Sequence, residues 1–315
     1  MSEGARKVVI IGAGAVGSAF AYTLMGSGLA SEIVLVDIDR ERAEAEAMDM
    51  NHGLFFAPPV IIRAGDYDDC TGADLVVITA GAKQRPGESR LDLVQRNVAI
   101  CKSIMGEVAA RTTEAIIVMV TNPVDVLTYV AQRVSGLPSS RVIGSGTVLD
   151  SARLRFLLSQ HCEVDARNVH AYVLGEHGDS EVPAWSMTHI AGVALDQYCR
   201  SCPKHCAVLD RQAIFAQVRD SAYHVIESKG ATYYGVSMAL ERIASALLRD
   251  ENSVLTVSTL AQGQYGLRDV CLSLPTVVNR NGVDRIIEAE LTPEETEALR
   301  NSAQVLKGVI AQVEL

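Results

Sequence analysis

The first half of the chain is punctuated by short runs that are apolar at every position: KVVIIG, EIVLVD, DLVVITAG, AIIVMVTNP and VIG. Each is followed by a loop or by a stretch with helical spacing. A strand with one wet face alternates apolar and polar residues, whereas a strand apolar throughout needs cover on both faces, as in a parallel sheet between two layers of helices. The pattern predicts a doubly wound α/β domain over residues 1–144.

Beyond Gly144 the texture changes. SARLRFLLSQ, DRQAIFAQVRDSAYHVIES and SMALERIASALLRD read as longer helices, and SVLTVSTL with VCLSLPTVV as a hairpin-like pair. The expectation is an α+β domain over residues 145–315. Near the end, Thr292 stands as an N-cap, Pro293 at the first helical position and Glu295 as the closing member of a capping box. Leu299, Ala303, Leu306, Ile310 and Val313 then fall on one helical face. No internal repeat or low-complexity linker interrupts the chain.

Residues 8 to 31 carry no charge and follow Arg6 and Lys7, which is also how a leader peptide or a membrane span begins. Five glycines break this run, and its period changes from strand to helix between VVIIG and GAVGSAFAYTL, so the segment reads as a βα unit and neither export nor a membrane anchor is expected. Over 315 residues, 48% apolar and 21% charged composition excludes a disordered chain. The formal charge of −10 weighs against a nucleic-acid or acidic-membrane surface, although a small anion needs only a local cationic cluster. Seven cysteines, an odd number in a long chain, point to reduced thiols and a cytoplasmic location rather than a disulfide framework. The segment YCRSCPKHC spaces Cys199, Cys202, His205 and Cys206 as zinc ligands could be spaced. No second knuckle follows and Pro203 suggests a loop, so no metal is expected.

GAGAVG places Gly12, Gly14 and Gly17 between a predicted strand and a predicted helix, and Asp37 ends the next strand. This is the Rossmann dinucleotide fingerprint in its proper context: glycines let the backbone turn tightly, approach a pyrophosphate and pack the helix closely. Asp37 would bond the adenosine ribose hydroxyls, and its charge would repel a 2′-phosphate. NAD is therefore expected rather than NADP.

In GEHGDS, His177 lies in a loop just past the apparent strand NVHAYVL; alone it says little. In DSARLR, Asp150 and Arg153 are three apart on one helix face, a spacing that equally describes a local ion pair, with Asp150 also a candidate N-cap. Beside a dinucleotide site, however, these residues are the parts that hydride transfer to a 2-keto acid requires. A developing alkoxide needs a proton donor charged near neutral pH, and a histidine favoured as imidazolium by a carboxylate supplies one. A substrate carboxylate needs a planar bidentate partner, which arginine is.

Taken together and in order, GAGAVG, AGAKQRPGESRLDL, TNPVD, DSAR, GEHGDSEVPAW and KGATYYG resemble the L-lactate dehydrogenase branch of the lactate/malate dehydrogenase family over essentially the whole chain. The resemblance implies that His177 is the acid/base, Asp150 its orienter, Arg153 the carboxylate clamp and Arg90 a polarising cation carried by a closing loop. Asn122 and Thr232 would complete the substrate pocket. The matching cofactor contacts are Gly12, Gly14, Val16, Gly17, Asp37, Arg42, Tyr67, Gly81, Ala82, Ser103, Val120, Asn122 and Ser145. The implied activity is reversible hydride transfer between NADH and pyruvate, giving L-lactate. Malate or another 2-hydroxyacid as substrate, and a redox sensor that binds NAD without turnover, are the alternatives.

Within the loop, Gln84 is the expected selector. Malate-type members carry arginine there to pair with a second carboxylate, whereas an uncharged amide would leave the extra carboxylate of oxaloacetate unpaired in a closed pocket. Arg85, one residue on, would reverse that choice if it took the same place. Arg155 lies roughly 200° around a helix from Arg153 and so cannot share its pocket. The resemblance to bacterial allosteric members implies that Arg155 and His170 bind fructose 1,6-bisphosphate across a two-fold interface of a homotetramer.

Overall fold

The structure, a computed structural model, describes residues 6–83, 87–202 and 209–314. Its central feature is a parallel sheet built from β1 (Lys7–Ile11), β2 (Glu32–Val36), β3 (Ile61–Ala64), β4 (Leu75–Ile78), β5 (Ile116–Met119) and β6 (Val142–Gly144), in the spatial order β3-β2-β1-β4-β5-β6. Helices α1 (Ala15–Ser27), α2 (Arg40–His52), α3 (Arg90–Ala109) and α4 (Val124–Ser135) make four of the crossovers, and a short 3-10 turn at Tyr67–Cys70 joins β3 to β4. The runs are apolar throughout because alternate residues serve two cores. Val9, Ile11, Val76 and Ile78 pack with Val98 and Met105 of α3 and Val130 of α4. Val8, Ile10, Leu75 and Val77 face the other way, toward Phe20 and Leu24 of α1. Strand order reverses between β1 and β4, which opens a crevice at the strands' C-terminal ends.

β3 was not anticipated from the hydrophobic pattern. It is the edge strand, with Ile61 exposed and Arg63 paired to Glu32 and Asp69, so its sequence lacks the apolar run of its neighbours.

The second half contributes α5 (Val148–Cys162), the short strands β7 (Val169–His170), β8 (Val173–Leu174), β9 (Val182–Pro183), β10 (His189–Ile190) and β11 (Val193–Ala194), then α6 (Leu195–Ser201), α7 (Arg211–Lys229) and α8 (Tyr234–Leu248). β12 (Ser253–Leu255), β13 (Ser258–Gln262), β14 (Arg268–Ser273), β15 (Thr276–Asn279), β16 (Gly282–Ile286) and α9 (Pro293–Ile310) complete it. NVHAYVL, expected as one strand, is two: β7 pairs with β10, and β8 with β9.

The expected hairpin does more than cover the second half. β13 and β14 pair antiparallel, and Ser258 of β13 pairs with Gly144 of β6, so the sheet continues to eight strands. Gly144 permits this: a Cβ there would stand 2.4 Å from Thr128 Oγ1 and 2.9 Å from Ser258 Cβ. Among the described residues no helix is long and apolar enough to cross a membrane.

At the C-terminal end, Thr292 Oγ1 accepts the Glu295 N–H at 3.2 Å and Glu295 Oε2 accepts the Thr292 N–H at 3.0 Å, the reciprocal box read from the sequence. Leu299, Ala303 and Leu306 are buried beneath it. Thr292→Ala should lower stability by about 1 kcal/mol, the usual worth of an N-cap. Urea denaturation would show an earlier midpoint at an unchanged slope.

Candidate active site

The glycine loop lies in the crevice between β1 and β4. Gly12 has φ +110°, and a Cβ on it would come within 2.6 Å of the Ala80 nitrogen. On Gly17 a Cβ would lie 1.8 Å from the Gly12 carbonyl oxygen, so α1 can sit this close to the loop only without a side chain there. Gly14 faces open space, with nothing within 4 Å of its missing Cβ. It is also the N-cap of α1; no side chain caps the helix and no acidic residue lies in its first turn. Backbone N–H groups are thus left free toward an anion. Asp37, at the end of β2, accepts the Ala13 N–H at 2.6 Å through Oδ2 and the Asp39 N–H at 2.9 Å through Oδ1, which braces the loop and leaves acceptor capacity for hydroxyls. These residues fit a dinucleotide.

The remaining positions expected to meet a cofactor fall at the same ends of the strands or flank them. Gly81 and Ala82 follow β4, Val120 and Asn122 follow β5, and Ser145 follows β6. Asn97 links two of these loops, accepting the Ala82 N–H at 2.8 Å and donating to the Asn122 carbonyl at 2.9 Å. Val16 is half-buried behind the glycine loop, and Tyr67 is half-buried after β3 with the Arg111 guanidinium 6.0 Å from its ring centre. Arg42 on α2 and Ser103 on α3 are exposed.

Beside this end a cleft of about 260 Å³ brings together Arg90, Asn122, Asp150, Arg153 and His177, together with Glu181, Arg219 and Tyr223. Asp150 is not a cap. Thr147 occupies that position, and Asp150 lies in the first turn of α5, buried at 2% exposure. Its Oδ2 stands 2.6 Å from His177 Nδ1 and its Oδ1 accepts from an Arg153 terminal nitrogen at 2.7 Å. The ion pair that the spacing allowed and the pairing that the chemistry asked for are therefore both present, on one carboxylate. Burial works against charge on His177, but Asp150 outweighs it and raises the imidazole to about 9. Burial likewise opposes the Asp150 charge, yet His177 and Arg153 hold that carboxyl below its ordinary range. With Nδ1 committed to Asp150, Nε2 is the nitrogen left to exchange a proton.

Arg90 opens α3 behind a Ser89–Asp92 capping box and stands at the mouth of the cleft, largely exposed, 3.5 Å from Asp179. Arg96 bridges the two sides of the preceding loop, donating to the Lys83 carbonyl and to Glu88, both at 2.8 Å. Gln84 and Arg85 lie outside the described residues. Thr232 sits between α7 and α8 and is not among the residues lining the cleft.

Arg155 points away from Arg153, into a second cavity of about 240 Å³ shared with Tyr172 and Arg242. It donates to the Ala171 carbonyl at 2.9 Å, next in the chain to the exposed His170. Cys199 is half-buried on α6, a helix where a loop was expected, and Cys202 is buried just after it; His205 and Cys206 lie outside the described residues.

Several residues of the site, Tyr223 among them, were not singled out from the sequence. Asp125 and Glu181 stood inside TNPVD and GEHGDSEVPAW, but nothing in their spacing marks Asp125 as the acceptor of the His177 N–H, 52 positions away, at 2.7 Å. Burial raises the Asp125 carboxyl to about 6. Arg219 comes from α7, within a helical pattern that signals only packing. Donor atoms of Asp150, His177 and Glu181 lie within 4.8 Å of one another. Both Asp150 oxygens already hold cationic partners, an arrangement that suits proton chemistry better than a metal ion.

Comparison with known proteins places this geometry. The lactate/malate dehydrogenase NAD-binding domain matches residues 6–144, and the lactate/malate dehydrogenase α/β C-terminal domain matches residues 147–315. An L-lactate dehydrogenase of Acetivibrio thermocellus is 53% identical over 310 residues, covering 98% of each chain. One of Thermoanaerobacter pseudethanolicus is 54% identical over 310 residues, 98% of this chain and 100% of that one. The minor L-lactate dehydrogenase of Enterococcus mundtii in its ligands-bound form superposes with a TM-score of 0.95 at 43% identity, covering 99% of each chain. Its ligands-unbound form gives 0.90 at 42% identity, covering 100% of this chain and 99% of that one.

The pair has a consequence for stability. The folded His177 imidazole titrates near 9, above its ordinary 6.5, so the stabilisation it brings is fully present below about pH 6.5 and is lost as pH rises through about 9. The destabilisation caused by His177→Asn should be largest near pH 6 and shrink toward pH 9.5, as read by chemical denaturation at both values.

Proposed function

The chain belongs to the lactate/malate dehydrogenase family, and from that premise we propose that it is an NAD-dependent L-lactate dehydrogenase, reducing pyruvate to L-lactate and running in reverse. The observation that carries the reading is the buried Asp150 carboxylate shared by His177 and Arg153 in the cleft beside the glycine loop. The relatives' shared name supports the substrate.

NAD, when bound, supplies or accepts the hydride. His177, cationic at neutral pH, gives its proton to the carbonyl oxygen of pyruvate as that oxygen gains charge, and in the reverse direction the neutral ring takes the hydroxyl proton of lactate. Asp150 orients the ring and balances its charge. Arg153, anchored through one nitrogen, offers the rest of its guanidinium to the substrate carboxylate. Arg90 moves in from the cleft mouth to polarise the carbonyl, and closure of its loop excludes water, which strengthens each of these interactions. Asn122 lines the substrate pocket, and Thr232, between α7 and α8, would have to approach it as the cleft closes. Gly12, Gly14, Val16, Gly17, Asp37, Arg42, Tyr67, Gly81, Ala82, Ser103, Val120, Asn122 and Ser145 hold the cofactor, within a nucleotide domain of residues 1–144 and a catalytic domain of residues 145–315. Gln84, an uncharged amide, would offer no counter-charge to a second carboxylate.

Activation by fructose 1,6-bisphosphate in a cytoplasmic homotetramer belongs to the same proposal. In its support, Arg155 is turned away from the substrate cleft and bonds the residue next to His170. Two copies of this pair across a two-fold axis would present two arginines and two histidines to two phosphates.

NADH oxidation should be far faster with pyruvate than with oxaloacetate, and Gln84→Arg should move the ratio of kcat/KM toward oxaloacetate by at least about a hundredfold, the scale of one unpaired carboxylate. An unchanged ratio would remove Gln84 as selector. Fructose 1,6-bisphosphate should lower the pyruvate KM about tenfold, within the usual range of allosteric coupling, and Arg155→Gln with His170→Ala should abolish that response while basal turnover persists.

A further inference from the structure

We propose that Glu181 is a positioning residue for the His177–Asp150 pair: a buried carboxyl that supports turnover only while it keeps its own proton, so that the working cleft depends on two protons rather than one. The inference rests on the dehydrogenase reading above and deepens it.

Glu181 lines the cleft, is 7% exposed, and its Oε1 has no hydrogen-bond partner. An unpartnered buried oxygen is costly, and it does nothing for packing that an apolar side chain of similar size would not do better. One carboxylate oxygen of Glu181 lies within 4.8 Å of ligating atoms of both Asp150 and His177. The feature is thus a polar group aimed at the reacting pair without being bonded to it.

The charges around it decide its state. α5 supplies Asp150 and Arg153, α7 supplies Arg219 and Tyr223, α3 supplies Arg90 at the mouth, and its own loop supplies Glu176, His177 and Asp179. Asp125 of α4 stands behind the His177 backbone. Burial, then the Asp150 charge, push the Glu181 carboxyl up to about 8 against the pull of His177, Arg153 and Arg219. At neutral pH the side chain is therefore uncharged. Asp150 and His177 then cancel, and Arg153 and Arg219 keep a net positive field for an anionic substrate.

Ionisation reverses both effects. A second carboxylate beside these groups offsets one arginine and repels the substrate's own carboxylate. It also stabilises the imidazolium, since Glu181 is among the charges that raise His177, and so makes that ring a poorer proton donor. The competent form is the one in which both groups, Glu181 and His177, are protonated.

The test is the alkaline limb of kcat/KM for pyruvate at saturating NADH, in the wild-type chain and in Glu181→Gln. With two protons lost near 8 and 9, the wild type should fall about fiftyfold between pH 9 and 10, whereas Glu181→Gln should fall at most about tenfold, the limit for one proton. NADH binding followed by fluorescence should be alike in both, which verifies that the variant is folded. A single-proton slope in the wild type overturns the proposal without any variant, and a two-proton slope that survives in Glu181→Gln overturns Glu181 as the second group. An enzyme that does not reduce pyruvate at all refutes the dehydrogenase reading, a different result from pyruvate turnover with a one-proton limb.

Discussion

One buried carboxylate organises the cleft at the end of the parallel sheet. Asp150 is almost fully withdrawn from water, and each of its oxygens is matched to a cation, the His177 ring on one side and the Arg153 guanidinium on the other. Withdrawing an anion costs several kcal/mol unless it is paired and hydrogen-bonded, so the two partners are held in place by that penalty as much as by attraction. The same pairing turns histidine, ordinarily half-charged near neutrality, into a group that keeps its proton well into the alkaline range. Geometry and proton affinity have one cause.

The carboxylate can serve this purpose only because the two halves of the chain are locked together. β13 extends the nucleotide-binding sheet through the close approach of Ser258 to Gly144. Asp125, from the first half, reaches the backbone of His177 in the second. A division near residue 144 describes the order of elements along the chain. It does not describe an independent core, because strands from both sides of it share one sheet.

The cleft also shows how charge is divided among similar groups. Asp150, Asp125 and Glu181 are all buried acids within reach of His177, yet they differ in state. Asp150 has two strong partners and stays ionised. Burial and the nearness of Asp150 raise Glu181 to about 8. Asp125, fully buried with one oxygen on the His177 backbone N–H, lies between them at about 6. Identical chemistry is separated by environment alone, which lets one site hold a fixed counter-ion and a titrating neighbour at once.

Much of the architecture was legible in the chain. Apolar runs without alternation required a sheet covered on both faces, GAGAVG required a strand-to-helix turn open to an anion, and the Thr292–Glu295 box required a helix start, because each depends on backbone geometry within a few residues. Edge strand β3 escaped because an edge needs no continuous apolar run, and NVHAYVL misled because its break after His170 follows from pairing with β10, far along the chain. The motifs named His177, Asp150 and Arg153, but that they meet on a single buried oxygen pair, that Asp125 tethers the loop, and that Glu181 points into the cleft unpartnered were decided by packing. Proximity between residues distant in sequence, and the loss of water that sets their charge, exist only once the chain has folded.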